Sequence, residues 1–402
     1  MKENDKEYIL RRLRAEIHVG GHIIGAAVGS GMTAKLAAMG GADILLALSA
    51  GKFRIMGRSS LSSFFCYGNS NQIVMDMGKR EIFPVVQDVP LLFGLMASDP
   101  YVKLFDYLQE IKESGFAGVV NSPTLAQVDG VFREALEEEG NSYDREVAAI
   151  RLANQLELLT MAFVTSLEEA EKMIEAQADI ICFHMGLTAG GLLGAKRHLS
   201  ISEARGLAEQ IFDLCKTRNP NILRFVYAGP ANKLMDMQYL YRNTSCQGYI
   251  GGSTFDRIPM EESIYAAVSS FKNYCHPEVI SSLRERKWGS NQLVESMRRY
   301  IEEHYSAEVK LSDIAMVAHM SPSYLGGRFK KETGMSFTDY LLQFRMGKAK
   351  ALLKNDRNLQ CKDVAAQVGY NDYVQFSKMF RKHVGVSPRD YQRTTDKNNT
   401  YL

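Results

Sequence analysis

The residues best equipped for chemistry fall into two groups far apart in the chain. The first holds a close run of cations, Lys52, Arg54 and Arg58, with Ser49 just before them. Asn121, His184, Gly229 and the run Gly251-Gly252-Ser253 follow at wide intervals. Guanidinium and ammonium groups attract an anion, and glycine N–H groups can approach one with no Cβ in the way. Together these residues suit a small phosphorylated or carboxylated metabolite. His184 and Asp88 are the candidates for moving a proton. Asp88 has no second carboxylate beside it, so paired acid–base chemistry is not indicated and no metal site is expected. No cofactor is expected either; Mg²⁺ would enter only if this region is catalytic. The segment Gly29-Ser-Gly-Met-Thr-Ala-Lys35 invites two nucleotide-binding readings and fits neither. Ala34 stands where a dinucleotide fingerprint needs glycine, and Leu36 where a phosphate loop needs Ser or Thr.

The second group is basic and lies near the carboxyl end: Lys330, Lys331, Lys378, Arg381 and Lys382. It belongs to a region of distinct charge. Residues 1–290 hold 30 Lys and Arg against 34 Asp and Glu, while residues 291–402 hold 18 against 12. A near-neutral body with a basic tail points to nucleic acid as the partner of the tail.

The elements that must carry these residues differ between the two regions. Apolar, β-branched runs recur at residues 22–29, 43–49, 83–89, 118–121, 159–164, 179–184, 222–229 and 248–252. Helical spacing separates most of them, as in 101–114, 143–157, 166–177 and 202–216. Ser166 and Glu169 read as a capping box. Eight buried strands with crossover helices match a (β/α)8 barrel, with a doubly wound open sheet as the competitor. The strand count and the glycine-ended last two strands favour the barrel. Residues 50–82 form an unusually long connection with a short helix near 71–77. Residues 186–194, glycine-rich and followed by Lys196 and Arg197, suit a lid. From about residue 275 the pattern changes, and after residue 291 everything reads as helical with no further strand credible. The six cysteines are scattered singly, which excludes a zinc framework or disulfide scaffold and fits a reducing cytoplasm. No stretch nears the ~18 apolar residues of a membrane helix, and residues 1–14 lack an apolar signal core.

Within the tail two segments are alike. Leu311-Ser-Asp-Ile-Ala315 leads to Ser321-Pro-Ser-Tyr-Leu325 and Phe329, and Cys361-Lys-Asp-Val-Ala365 leads to Asp372-Tyr-Val-Gln375 and Phe380. Each is a short helix centred on alanine, a turn, and a longer basic helix ending at glycine, which is the pattern of a helix-turn-helix. Residues 291–393 resemble the double helix-turn-helix domain of AraC-family transcription regulators, most closely over Gly369–Lys382 and Gly385–Tyr391. The resemblance implies two recognition helices in successive major-groove faces of double-stranded DNA. Tyr373, Val374, Ser377 and Lys378 would then face the groove, with Lys378 able to reach a guanine edge. Lys330, Lys331, Arg381 and Lys382 would meet phosphates. In the first motif Ser323, Gly326 and Gly327 would face the groove, where the family usually has longer polar side chains.

The segments Gly29-Ser-Gly, Gly40-Gly-Ala-Asp43, Ser49-Ala-Gly-Lys-Phe-Arg54, His184-Met-Gly-Leu-Thr188 and Gly248-Tyr-Ile-Gly-Gly-Ser253 resemble phosphoenolpyruvate hydrolase-like barrels. These are distant relatives of the phosphoenolpyruvate mutase and isocitrate lyase barrels. That resemblance implies a (β/α)8 fold and a phospho- or keto-acid-like ligand. Tyr227-Ala-Gly-Pro230 departs from the family's His-Gly-Gly-Pro. The expected organisation is therefore a ligand-sensing barrel at 10–274, a linker at 275–290 and an AraC-type DNA-binding domain at 291–394. This describes a cytoplasmic one-component regulator, homo-oligomeric by the habit of its kind. A hydrolase or lyase with an attached DNA-binding domain is the alternative.

Overall fold

The computed structural model describes residues 5–273, 292–318, 320–355 and 359–397, so the expected linker lies outside the described residues. The chain forms two compact units, the first ending at Tyr265 and the second beginning at Ala266.

The first unit is a closed barrel of eight parallel strands. They are β1 Ile23–Val28, β2 Ile44–Ala47, β3 Leu91–Leu95, β4 Gly118–Asn121, β5 Leu159–Val164, β6 Ile180–His184, β7 Leu223–Tyr227 and β8 Gly248–Gly251. Closure is explicit in the register: Gly25 pairs with Ile44 on one side and Ile250 on the other. The open sheet is thereby excluded. Side chains alternate along each strand, so Leu159, Met161 and Phe163 fill the interior while Ala162 and Val164 meet the outer helices. Those helices are α1 Lys6–His18, α2 Gly31–Met39, α3 Ser49–Ile55, α4 Ser70–Met77, α5 Leu104–Glu113 and α6 Gly130–Glu138. They continue as α7 Tyr143–Gln155, α8 Leu167–Glu175, α9 Ile201–Arg218, α10 Leu234–Asn243 and α11 Arg257–Asn273.

Helix α1 sends Ile9, Leu10 and Leu13 into the interior cluster and so plugs the end where the strands begin. At that end Asp43 accepts from the Ile24 N–H, and Asp179 accepts from the Thr160 N–H and pairs with Lys6 at 2.9 Å. The opposite end, where the strands finish, is left for a site.

Two expectations need correction. The third strand is Leu91–Leu95, not residues 83–89. Pro84 removes a ladder donor near the start of that earlier run, which begins with a turn after the wide helical segment Gly78–Ile82. Asp88 therefore precedes β3, exposed at the plugged end of the barrel, and cannot serve as a catalytic acid at the working end. The capping box at Ser166 is half formed. Its hydroxyl accepts from the Glu169 N–H, but the Glu169 carboxylate turns to the Thr165 N–H and Arg133. The long connection does hold the expected short helix, α4, after a 3-10 turn at Ser60–Phe64.

The second unit is helical among its described residues: α12 Gln292–His304, α13 Leu311–Val317, α14 Pro322–Thr333, α15 Phe337–Asn355, α16 Cys361–Gln367, α17 Tyr373–Val384 and α18 Pro388–Lys397. Two separate cores organise it. Ile314, Ala315, Leu325 and Phe329 close one with Leu293, Met297 and Ile301; Val364, Ala365, Phe376 and Phe380 close the other. Helix α15 serves both, through Phe337 and Leu341 at its start and Met346, Ala349 and Leu353 further on. The buried alanines let the short helices cross close to the longer ones. Helices α14 and α17 begin on side-chain caps, Ser321 and Asp372, and end on Gly334 and Gly385 in left-handed conformation.

Candidate ligand cavity and nucleic-acid interface

A cavity opens where the barrel strands end. Its wall comes from Leu48 and Arg54 after β2, from Ser60, Ser63 and Phe64 of the 3-10 turn, and from Ser122, Thr124 and Gln127 after β4. Phe163, His184, Thr188, Tyr227 and Ser253 complete it. About 30 Å³ is open to the centre of a water molecule, where roughly 10–15 Å³ takes one water. The space is small and mixed in character, with hydroxyls set among aromatic faces.

Arg54 is neutralised. Its Nε lies 3.0 Å from both Asp256 carboxylate oxygens, its Nη2 lies 2.7 Å from one of them, and Nη2 also donates to the Ala27 carbonyl. The glycines expected to leave room for an anion are instead filled by protein. A Cβ on Gly252 would stand 2.5 Å from the Tyr227 hydroxyl, and one on Gly251 2.4 Å from the Phe255 ring. Gly229, at φ +66°, packs on Met185. These positions are bare so that the wall can close.

His184 sits at the end of β6, stacked on Tyr227 with ring centroids 4.6 Å apart and edge-on to Phe163 at 5.3 Å. The Gly186 N–H donates to Nδ1 at 3.1 Å, and the Gln127 amide nitrogen stands 2.6 Å from Nε2 and 2.9 Å from Nδ1. Burial lowers its pKa to about 3. The ring is a neutral hydrogen-bonding group at physiological pH.

Three other expected ligand residues do not line the cavity. Ser49 accepts from the Ser70 hydroxyl at 2.6 Å, and Lys52 pairs with Glu81. Asn121 donates to Glu146 at 2.6 Å and accepts from the Phe163 N–H. Burial pushes the Glu146 carboxyl up to about 7, against donors at Leu125, Thr124 and Asn121 that pull it down. This buried knot shapes the turn that presents Ser122, Thr124 and Gln127. Sequence reasoning did not single those three out, although Ser122 and Thr124 directly follow the end of β4. Arg58 stands in a shallow vestibule beside the cavity, with Ser60, Thr188, Ser253 and Arg257.

The segment expected as a lid borders both spaces and is pinned. The Arg257 guanidinium donates to the Gly190 carbonyl at 2.9 Å and pairs with Glu261 at 3.0 Å; Glu261 accepts from the Leu192 N–H at 2.8 Å. Both anchors belong to α11. Gly191, at φ +71°, lies so close that a Cβ there would stand 2.3 Å from Glu261 Oε2.

In the second unit Ser323, Lys330, Lys331, Val374, Lys378, Arg381 and Lys382 are exposed on α14 and α17, and Tyr373 and Ser377 are half-buried. Gly326 is a packing position instead of a groove position, since a Cβ there would meet Leu311 at 3.1 Å. Tyr324 and Gln375, exposed on the same two helices, were not anticipated. Arg345 ties the halves by donating to the carbonyls of Tyr305 and Ala307.

Among the described residues no helix is long and apolar enough to cross a membrane. No three of His, Cys, Asp and Glu converge there, and the cavity wall carries no carboxylate, so its donors do not suit Mg²⁺.

Residues 8–274 match the model of the phosphoenolpyruvate hydrolase-like family, and residues 314–394 match a helix-turn-helix domain. The chain is 38% identical over 66% of its length to the ToMV susceptible protein tm-1(GCR26) of Solanum lycopersicum, covering 35% of that protein. It is 37% identical over 62% of its length to the putative transcriptional regulatory protein y4pA of Sinorhizobium fredii, covering 41% of it. The chain thus spans less than half the length of these curated relatives. The solved C-terminal domain of AraT, a response regulator from Geobacillus stearothermophilus, is 39% identical over 25% of this chain and 84% of that one, with a TM-score of 0.25.

Proposed function

Because the chain belongs to the phosphoenolpyruvate hydrolase-like family and carries a helix-turn-helix domain behind its barrel, we propose that it is a one-component transcription regulator. The tail binds a specific double-stranded DNA site, and a small acid in the barrel cavity adjusts that binding. The observation that carries this reading is the pair of helix-turn-helix modules, each closed by its own core and each exposing basic residues on its longer helix. Two such helices can read one face of a duplex. Ligand control requires unequal affinity of the ligand for DNA-competent and incompetent states. The lid anchored on Arg257 and Glu261 of α11 supports it, because the segment that borders the cavity at Gly186, Leu187 and Thr188 is bonded, at Gly190 and Leu192, to the helix that follows the barrel's last strand. A homo-oligomeric regulator is favoured by an open apolar groove flanked by exposed Met32 and Leu36 of α2 and Ile264 of α11.

The hydrolase or lyase alternative needs a proton-transfer group. His184 is a weak base in this setting and no carboxylate faces the cavity, so sensing is favoured over turnover. Footprinting of the full chain on fragments of its own genome, with and without small acids, tests the reading. Protection of a defined site is expected, and uniform binding to every fragment would overturn it.

A further inference from the structure

The cations near the cavity are not equivalent. Lys52 pairs with Glu81, Arg54 with Asp256 and Arg257 with Glu261. Among the described residues no carboxylate pairs with Arg58, which stands exposed at the vestibule beside the hydroxyls of Ser60, Thr188 and Ser253. Ser60, Thr188 and Ser253 border the inner cavity as well, so the two spaces adjoin. The inner cavity carries no net charge: its one arginine is neutralised and the buried His184 ring is neutral. A ligand spanning both spaces therefore meets one uncompensated positive charge, and meets it at its outer end.

We infer that the barrel's ligand is a small monocarboxylic acid whose carboxylate lies against Arg58 in the vestibule while its uncharged end enters the cavity toward Tyr227, Gln127 and His184. A single guanidinium matches a carboxylate in charge and in its two-point hydrogen-bonding geometry. A phosphomonoester carries about −1.5 to −2 at neutral pH and would keep an unbalanced charge there. The inner space excludes a second anion, because a charge moved beside the already paired Arg54 loses its hydration without gaining a partner. This rests on the sensing role proposed above and narrows the ligand class from phospho- or keto-acids to monoacids with a neutral tail.

The test titrates the full-length protein by calorimetry with pyruvate, glycolate and 2-oxobutyrate, and with phosphoenolpyruvate, malonate and inorganic phosphate. At least one monocarboxylate should bind and the doubly charged compounds should not. Arg58→Gln should weaken that binding about 10- to 100-fold, whereas Lys52→Gln should leave it within about twofold, since Lys52 is already paired. The inference is overturned if a phosphorylated compound binds more tightly than every monoacid, if none of the six binds, or if Arg58→Gln binds as the wild type does. Footprinting of the same samples separates the two readings. A monoacid that binds through Arg58 without altering DNA protection leaves this inference standing and removes the sensing role. A phosphorylated compound that alters protection does the reverse.

Discussion

Arg54 and Asp256, 202 positions apart in the chain, meet as an ion pair whose side chains are 1% and 2% exposed. The pair joins the helix after β2 to the residue that begins the last segment of the barrel, so it holds together the first and last stretches of the cavity wall. Asp256→Ala strands a buried guanidinium. Loss of about 3–5 kcal/mol is expected for the barrel's unfolding transition, measured by urea denaturation followed by circular dichroism.

His184 makes the barrel sensitive to acid. Burial depresses its pKa from 6.5 to about 3, so the folded state holds the neutral ring while the unfolded chain binds a proton below pH 6.5. Its contribution is complete above pH 6.5 and is lost progressively toward pH 3. Glu146 acts with opposite sign: its carboxyl is raised from 4.5 to about 7, so stability from its protonated form is present below 4.5 and fades as pH rises toward 7. Comparison with His184→Gln isolates the imidazole. The melting-temperature difference between wild type and variant should shift against the wild type as pH falls from 6.5 to 4, and a constant difference would refute the assignment.

The lid is held by contacts that a single methyl group disrupts. Gly191→Ala drives a Cβ into Glu261 and Arg257 at a left-handed backbone position, so residues 186–199 should exchange amide hydrogens faster than in the wild type. Gly206→Ala on α9 is the control: nothing lies within 4 Å of its Cβ position, and it should stabilise by up to about 1 kcal/mol. Unchanged exchange in Gly191→Ala would mean the anchors are incidental.

Two lysines should separate sequence reading from simple charge attraction. Lys378→Ala should flatten base preference at one operator position, worth ~1–3 kcal/mol of discrimination. Lys330→Ala should weaken binding to all sequences alike and reduce the salt slope by about 1. Binding-site selection from random DNA, repeated at several salt concentrations, distinguishes the outcomes.

Periodicity and strand count made the barrel legible, and the internal similarity of residues 311–334 and 361–385 made the paired modules legible. β3 was not. Val85 and Val86 resemble a strand locally, and only the pairing of Leu91–Leu95 with both neighbours decides the matter. The chemistry of the cavity was visible only in part for a related reason. Arg54 and Lys52 announce charge in the sequence, but the acids that cancel it lie at Asp256 and Glu81. A sequence records which charges exist; pairing across the fold decides which remain available. Arg58 is exposed and has no such acid beside it among the described residues, and nothing in the sequence around it says so.

Helix α15 runs 19 residues without a break and lends side chains to both cores of the tail. It works as a ruler with an angular scale as well as a length. Each residue inserted into it would advance one module by roughly 100° about the helix axis, turning one reading surface away from the duplex face that its twin addresses. The same arithmetic holds on the nucleic acid. Operators for this regulator should tolerate altered bases between the two contact sites far better than one added or deleted base pair.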